Sequence, residues 1–166
     1  MKIDHVTARQ ILDTRGRPTI ETMLSSGSFS ATASVPSGKS TGKHEAVERR
    51  DADGSVASEV ANENSEIAGA LIGRDFGSLD EIDSFLIELD GTPNKSRLGA
   101  NEILSVSISA MRLSAIMDGI PLWRAVAKRA GTNPSAPSLF VNIMNGGVHV
   151  NLAEASAKAD GFKLPF

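Results

Sequence analysis

The sequence contains no cysteine. This absence excludes a disulfide framework and a metal site built on thiolates, and it is typical of a reducing compartment. No run of about 18 consecutive apolar residues occurs, and the amino terminus has no apolar stretch of signal-peptide length. A net charge of −3 also excludes the basic field that attracts nucleic acid. We therefore expect a cytoplasmic protein with neither nucleic-acid nor membrane partners.

The composition that remains suits a folded domain. Hydrophobic side chains make up 40% of the 166 residues and charged side chains 22%, as in ordinary globular proteins. Segments 6–12, 19–24 and 29–35 are rich in β-forming residues and are separated by short turns, which predicts a three-stranded antiparallel meander. Alternation in the third segment predicts one apolar face, made of Phe29, Ala31, Ala33 and Val35.

After residue 55 the apolar residues recur with the period of a helix, first over 57–71. Ser78 and Glu81 have capping-box spacing and begin a second helix. A third helix is predicted over 98–117 and a fourth over 121–131. The third helix is expected to bury one set of side chains: Ala100, Ile103, Leu104, Ile108, Met111 and Ala115. Strands followed by helices indicate an α+β domain with the helices packed on one side of the sheet.

The best candidate for a linker is the Pro- and Ser-containing segment 131–138. Beyond it, Leu139–Met144 has the pattern of a buried strand. We therefore predict a first domain over residues 1–131 and a second segment over residues 132–166.

A hydroxyl-rich loop at 35–42 follows the third predicted strand. Its small residues allow the backbone to close over an anion or a metal, and Ser40 or Thr41 offers oxygen to a hard cation. A solvated surface turn is the commoner role of such loops. A nucleotide-binding P-loop is excluded, because that motif needs a glycine where Ala33 stands.

Three further segments carry charged or titratable groups. His149 follows a Gly-Gly turn, from which a histidine reaches either an anionic ligand in a cleft or only solvent. The loop 90–97 is interpreted as a capped helix entry with a structural role. The charged run 45–51 is interpreted as a solvated segment or a subunit contact. No pair of histidines or carboxylates has a spacing that predicts a metal site.

Four segments, taken in order, resemble the amino-terminal part of enolases: 8–21, 35–42, 89–101 and 145–149. The resemblance implies a small capping domain, made of a three-stranded antiparallel meander followed by a helical bundle, ahead of an α/β barrel. On this basis residues 1–131 are the capping domain, and residues 132–166 are the linker and the incomplete start of the barrel, a truncated stub.

The resemblance also implies an activity, that of phosphopyruvate hydratase. This lyase of glycolysis reversibly dehydrates 2-phosphoglycerate to phosphoenolpyruvate with two Mg²⁺ ions. Ser40 matches the loop residue that ligates the second Mg²⁺, and His149 matches the histidine beside the substrate. Arg9 and Glu21 match positions that face the partner subunit in the family's dimer.

The family's remaining catalytic groups have no counterpart in these residues. The carboxylates of the principal Mg²⁺ site, the base Lys and the acid Glu belong to later barrel strands, and a whole barrel takes about 250 residues. We therefore expect no activity from this 166-residue chain alone. The alternative is a non-catalytic binding or scaffold module that pairs with another subunit or with a separate barrel chain, as the apolar segment Phe162–Phe166 suggests.

Overall fold

The structure is a computed structural model that describes residues 1–38 and 42–141. Contacts divide the chain into two units, Met1–Pro134 and Ser135–Phe166. Of the second unit the structure describes residues 135–141, which form no regular secondary structure. The first half of the strand predicted at 139–144 is thus not a strand, and its side chains are exposed. The second half lies outside the described residues.

Three strands form the predicted antiparallel meander, in the spatial order β1-β2-β3. They are β1 (His5–Leu12), β2 (Pro18–Ser26) and β3 (Phe29–Ser34). The first turn is closed by Asp13, whose Oδ1 accepts hydrogen bonds from the backbone N–H groups of Arg15 and Arg17 at 2.8 and 2.9 Å. These bonds, above all the one from Arg17, hold the pKa of Asp13 below its ordinary value.

The apolar face predicted for β3 is confirmed at Ala31, Ala33 and Val35, which are buried. Phe29 was wrongly included and is 41% exposed. It pairs with Ser26 beside the β2–β3 turn, at the end of the sheet. At that end the helices do not cover the side chain, even though the two-residue period places it on the inward face.

The first predicted helix consists of three consecutive pieces. These are α1 (Ala57–Asn62), a π-helical turn (Glu63–Ile67) and α2 (Ala68–Leu71). The π-helical turn buries Glu63 and Ile67. Next to them, the Asn64 side chain binds both backbone groups of Ala8 at 2.7 and 2.9 Å, which ties β1 to this helix.

The other helices are α3 (Leu79–Asp90), α4 (Ala100–Met117) and α5 (Leu122–Ala130). The predicted cap of α3 is confirmed, since Ser78 Oγ accepts a hydrogen bond from the Glu81 N–H at 3.2 Å. Both α3 and α5 end at a left-handed glycine, Gly91 and Gly131. No single helix in 1–38 and 42–141 is long and apolar enough to span a membrane. Helices α4 and α5, which meet at a bend of 105°, reach that length and apolar composition only when they are taken together.

The buried face of α4 differs from the predicted one. Of the six predicted residues Ala115 is buried, whereas Leu104 is 45% exposed and the other four are half-buried. The buried face instead comprises Asn101, Glu102, Ser105, Val106, Ser109, Ala110, Leu113 and Ala115. Hydrogen bonds explain the difference: Ser109 Oγ donates to the Thr22 carbonyl on β2 at 2.8 Å, so a polar side chain is satisfied inside the domain.

The main core lies between the sheet and the helices, which places it behind β2 and beside α4. Its large, fully buried members come from every layer: Ile3, Leu24, Ile67, Leu71, Ile82, Leu86, Leu98 and Leu113.

Candidate functional site

The loop predicted to carry chemistry begins with a fixed connection to the sheet. The Val35 N–H donates to the Ile20 carbonyl at 3.1 Å, and Thr19 Oγ1 donates to the Val35 carbonyl at 2.5 Å. These bonds continue the β2–β3 pairing past the end of β3. The loop therefore leaves the sheet in a defined direction. Ser40, the residue that matches a metal ligand, lies outside the described residues.

Charged side chains hold the loop at its next residues. The Arg15 guanidinium donates to the Ser37 carbonyl at 2.5 Å, and Ser37 Oγ donates to Glu48 Oε2 at 3.0 Å. Glu48 is held in turn by Arg50, whose guanidinium donates to Glu48 Oε1 and to the Pro18 carbonyl, both at 2.6 Å. The start of the loop is thus connected to the β1–β2 turn and to the segment after the loop.

The far end of the loop is a short closed turn. The Gly42 N–H donates to Glu45 Oε2 at 2.8 Å, and the Glu45 N–H donates to the Gly42 carbonyl at 3.1 Å. Next to the loop's start lies a pocket of about 260 Å³, whose polar walls come from Asp13, Arg15, Thr19 and Ser37. Hydrogen bonds therefore fix both ends of the loop, and the pocket lies beside its start.

The charged run at 45–51, which the sequence predicts to be a solvated segment or a subunit contact, is exposed or half-exposed and also makes hydrogen bonds within the domain. Besides Glu48 and Arg50, the backbone of Arg49 is paired with the Asn101 side chain at 3.1 and 3.2 Å. Asp51 accepts hydrogen bonds from Ser55 and Ser58 near the start of α1, and the Ser58 bond contributes most to lowering its pKa to about 2. These roles were missed because a mixed-charge run has no period that marks an inward face.

The exclusion of a P-loop agrees with the structure. Ala33 is a buried residue of β3, and no helix begins in residues 42–56. A phosphate-binding P-loop needs a helix amino terminus directly behind it.

Arg9 and Glu21 form a pair on the outer face of the sheet. They are register partners on β1 and β2, and Glu21 Oε1 accepts from Arg9 Nε at 2.6 Å and from Nη2 at 2.5 Å. The pair lines a shallow pocket of about 260 Å³ together with Thr7, Met23 and Thr32. It lies on the face away from α4.

The structural interpretation of the loop 90–97 is confirmed. Asp90 is 2% exposed, and its two carboxylate oxygens accept from the backbone N–H of Thr92 at 2.9 Å, from the Thr92 hydroxyl, and from the Leu98 N–H at 2.8 Å. Burial alone raises the pKa of Asp90, but these hydrogen bonds outweigh it and the pKa is lowered. Arg97 joins the loop to the π-helical turn through an ion pair with Glu66 at 2.9 Å.

A set of buried carboxyl groups was not predicted. Glu59, Glu63 and Glu102 are at most 2% exposed and lie where α1 and the π-helical turn meet α4. Burial raises the pKa of Glu63 to about 7, and burial with the nearby charge of Glu63 raises that of Glu102 to about 9. Within the described ranges, however, no three carboxylates or histidines are arranged to hold a metal ion. The sequence does contain a signal for these buried groups, because Glu59 and Glu63 lie on the same side of the helix at 57–71 as its apolar residues.

The described residues therefore contain the loop ends and the outer-face pair, and they do not show Ser40 or His149, which both lie outside them. A comparison with protein families adds one finding. Residues 3–126 match the model of a family described as "Enolase, N-terminal domain". The match covers the whole sheet and every helix up to the middle of α5.

Proposed function

This chain belongs to the enolase family, and we propose that it provides the amino-terminal domain of a phosphopyruvate hydratase. The reaction is the reversible dehydration of 2-phosphoglycerate to phosphoenolpyruvate in cytoplasmic glycolysis. The family match over residues 3–126 supports the proposal, together with the three-stranded meander followed by helices that the structure contains.

In this proposal the domain positions a loop and the rest of the enzyme supplies most of the chemistry. Ser40 contributes one oxygen to the second Mg²⁺, and His149 lies beside the substrate. The described residues hold no group of three ligands for Mg²⁺, so they do not fit the principal metal site. Arg15 and Glu48 hold Ser37 and thus set the direction in which the loop leaves β3.

The test uses two proteins: the 166-residue chain alone, and residues 1–131 fused ahead of the barrel domain of an active enolase. Both are purified free of host enolase, and phosphoenolpyruvate formation is measured. We expect turnover from the fusion only, and a large loss of turnover in the fusion after Ser40→Ala. The barrel domain alone is the control. A folded fusion that produces no phosphoenolpyruvate contradicts the proposed function, whereas turnover by the chain alone contradicts the division of labour.

We further propose that the outer face of the sheet pairs two copies of the chain. Its support is the ion pair between exposed Arg9 and half-buried Glu21, which places both signs of charge on the outer face of the sheet. Light scattering of the fusion is expected to report a dimer that Arg9→Glu weakens at least tenfold. Charge reversal of the exposed Glu88 is the matched control, and an unchanged dimer in Arg9→Glu refutes this pairing.

The second candidate function, a binding module without catalysis, is favoured by α5. Its apolar side chains Leu122, Trp123 and Val126 are all exposed, which is typical of a surface that another protein covers. A separately produced enolase barrel is the partner to test, by titration calorimetry. Binding without any phosphoenolpyruvate formation supports this candidate. A chain that stays monomeric and does not bind the barrel contradicts it.

A further inference from the structure

Buried carboxyl groups lie at the seam between the helix at 57–71 and α4. Three carboxyl groups meet there, each nearly or fully excluded from water: Glu59 from α1, Glu63 from the π-helical turn and Glu102 from α4. A buried ionised carboxylate is costly unless a cation or several hydrogen bonds compensate it. The hydrogen atoms available at this seam can therefore be counted.

Three short contacts connect four oxygen atoms in a row. Thr22 Oγ1 lies 2.5 Å from Glu63 Oε1 and 2.8 Å from Ser105 Oγ, and Ser105 Oγ lies 2.8 Å from the Glu102 carbonyl oxygen. A longer contact joins Ser105 Oγ to Glu63 Oε2 at 3.3 Å and shares the hydrogen atom that Ser105 directs to the Glu102 carbonyl oxygen. Each short contact needs one hydrogen atom between its two oxygens, and the two hydroxyl groups supply two. The third hydrogen belongs on Glu63, whose carboxyl group then donates to Thr22 while Thr22 donates to Ser105.

The Glu102 side chain has no such chain of partners. Both of its carboxyl oxygens are buried without a hydrogen-bond partner in residues 1–38 and 42–141, as is Glu59 Oε2. The charged groups facing the seam from the neighbouring segments are Arg49, Glu66 and Arg97. Arg49 Nε lies 3.8 Å from Glu59 Oε1, and Arg97 pairs with Glu66 at 2.9 Å. Arg49 and Arg97 are thus nearest to Glu59 and Glu66, and neither forms an ion pair with Glu63 or Glu102 within the described residues.

We propose that this seam is a proton-dependent joint, in which α4 packs on the π-helical turn only while Glu63 and Glu102 hold their protons. The raised pKa of Glu63 agrees with the count of hydrogen atoms, and the raised pKa of Glu102 agrees with its two buried oxygens, which have no hydrogen-bond partner in the described residues. In the unfolded chain both groups ionise near 4.5, so above that pH the folded state binds more protons than the unfolded one. Stability then falls as pH rises. Both groups contribute to the fall up to about pH 7, and Glu102 alone contributes up to about pH 9.

A bound cation is the competing account of three buried carboxyl groups. The geometry does not favour it, because the described residues place no three of these groups around a common point for a metal ion. The joint also does not depend on the proposed enolase activity, since it rests on contacts within the helices and β2.

The experiment is urea unfolding of the full chain between pH 5 and pH 9, with and without Mg²⁺. The folding equilibrium constant is expected to fall with rising pH, by up to tenfold per pH unit for each proton. Glu63→Gln should halve the slope between pH 5 and 7, because Glu102 still contributes there, whereas Glu102→Gln should halve that slope and also remove the fall between pH 7 and 9. Glu88→Gln, the same change at an exposed position, should follow the unaltered chain.

A flat profile for the unaltered chain overturns the proposal. So does a Mg²⁺-dependent stabilisation at pH 8 that Glu102→Gln abolishes, since it would place a cation at the seam. If a glutamine variant does not fold, calorimetric unfolding of the unaltered chain at pH 7 in two buffers of different ionisation enthalpy still decides. Release of one or more protons on unfolding supports the joint, and no release or net uptake refutes it.

Discussion

Asp90 and Glu102 are buried to almost the same extent, with 2% and 0% of their surface exposed, yet their pKa values move in opposite directions. Asp90 accepts hydrogen bonds from Thr92 and Leu98 that favour its charged form. Glu102 has none to its side chain and faces another carboxyl group. At Asp90 the donated hydrogen bonds outweigh burial and keep the carboxyl group charged, whereas at Glu102 burial and a second carboxyl group favour the neutral acid.

The largest expected effect is on the pH dependence of stability, to which Asp90 and the pair Glu63 and Glu102 contribute in opposite directions. Asp90 has a lowered pKa, so its contribution is lost as pH falls through that value in acid, whereas the contributions of Glu63 and Glu102 are lost as pH rises above 4.5. The change for Glu63 alone corresponds to about 3 kcal/mol. Urea unfolding should show Asp90→Asn making the acid limb less steep, because Asp13 and Asp51 still contribute there, and the double variant Glu63→Gln/Glu102→Gln flattening the alkaline limb only. If both variants changed the same limb, the opposite pKa shifts of Asp90 and Glu102 would be contradicted.

Asp90→Ala should cost about 3 kcal/mol at pH 7, because it removes a charged acceptor and leaves the N–H of buried Leu98 without a partner. Chemical denaturation measures this loss. Asp118→Ala, at an exposed site, is the control and should change the free energy of unfolding by less than about 0.5 kcal/mol. Equal effects of the two variants would show that the Asp90 bonds contribute nothing.

Gly99, the second residue after the loop 90–97, lies between Asp90 and Glu102 in the chain. Its φ is +107°, and a Cβ there would lie 2.7 Å from Asn101 Oδ1 and 3.2 Å from Arg49 Cβ. Gly99→Ala should therefore cost about 2 kcal/mol. Gly69→Ala is the matched control: that glycine is helical, and an added Cβ meets nothing within 4 Å in the part of the chain that the structure describes. It should stabilise the chain by about 0.5 kcal/mol, and a destabilisation equal to that of Gly99→Ala would contradict this account.

Thr22→Val keeps the shape of a buried side chain and removes the hydroxyl group between Glu63 and Ser105. We expect a loss of about 1 kcal/mol at pH 5, where Glu63 is protonated and needs an acceptor. Thr32→Val, at an exposed position of β3, tests the same exchange without that network. An equally stable Thr22→Val variant would remove the hydrogen-bonded row from the account.

The smallest effect is expected at the loop's start, where charged groups bind the backbone near solvent. Arg15→Gln should cost about 0.5 kcal/mol in stability. Its clearer consequence is faster amide exchange at Gly38, measured by NMR, because Ser37 loses the donor to its carbonyl. Arg17→Gln is the control from the same turn, and equal exchange rates in the two variants would show that Arg15 does not hold the loop.

Local signals in the sequence were sufficient for most of the fold. The Ser78 cap and the glycines at 91 and 131 act within one helical turn, so the ends of α3 and α5 follow from adjacent residues. The inward face of α4 does not, because Ser105 and Ser109 are buried through partners on β2 and the π-helical turn that are distant along the chain. Hydrophobicity alone therefore selected the wrong face.

The candidate site was predictable to a smaller extent. Arg9 and Glu21 are paired by the register of β1 and β2. The two-residue period of these strands places both side chains on the same face of the sheet. The contacts of Arg15 and Glu48 with Ser37 depend on where two irregular segments pass each other, and no periodic pattern specifies that. The buried glutamates were missed because glutamate is ordinarily a surface residue of helices.

The most direct test is a titration of the side-chain carboxyl carbons of Asp90 and Glu102 in one ¹³C-labelled sample, followed by NMR. The account predicts that the pKa of Asp90 lies below 3.8 and that of Glu102 is raised to about 9. A Glu102 carboxyl group that titrates near 4.5 in the folded chain would contradict the account.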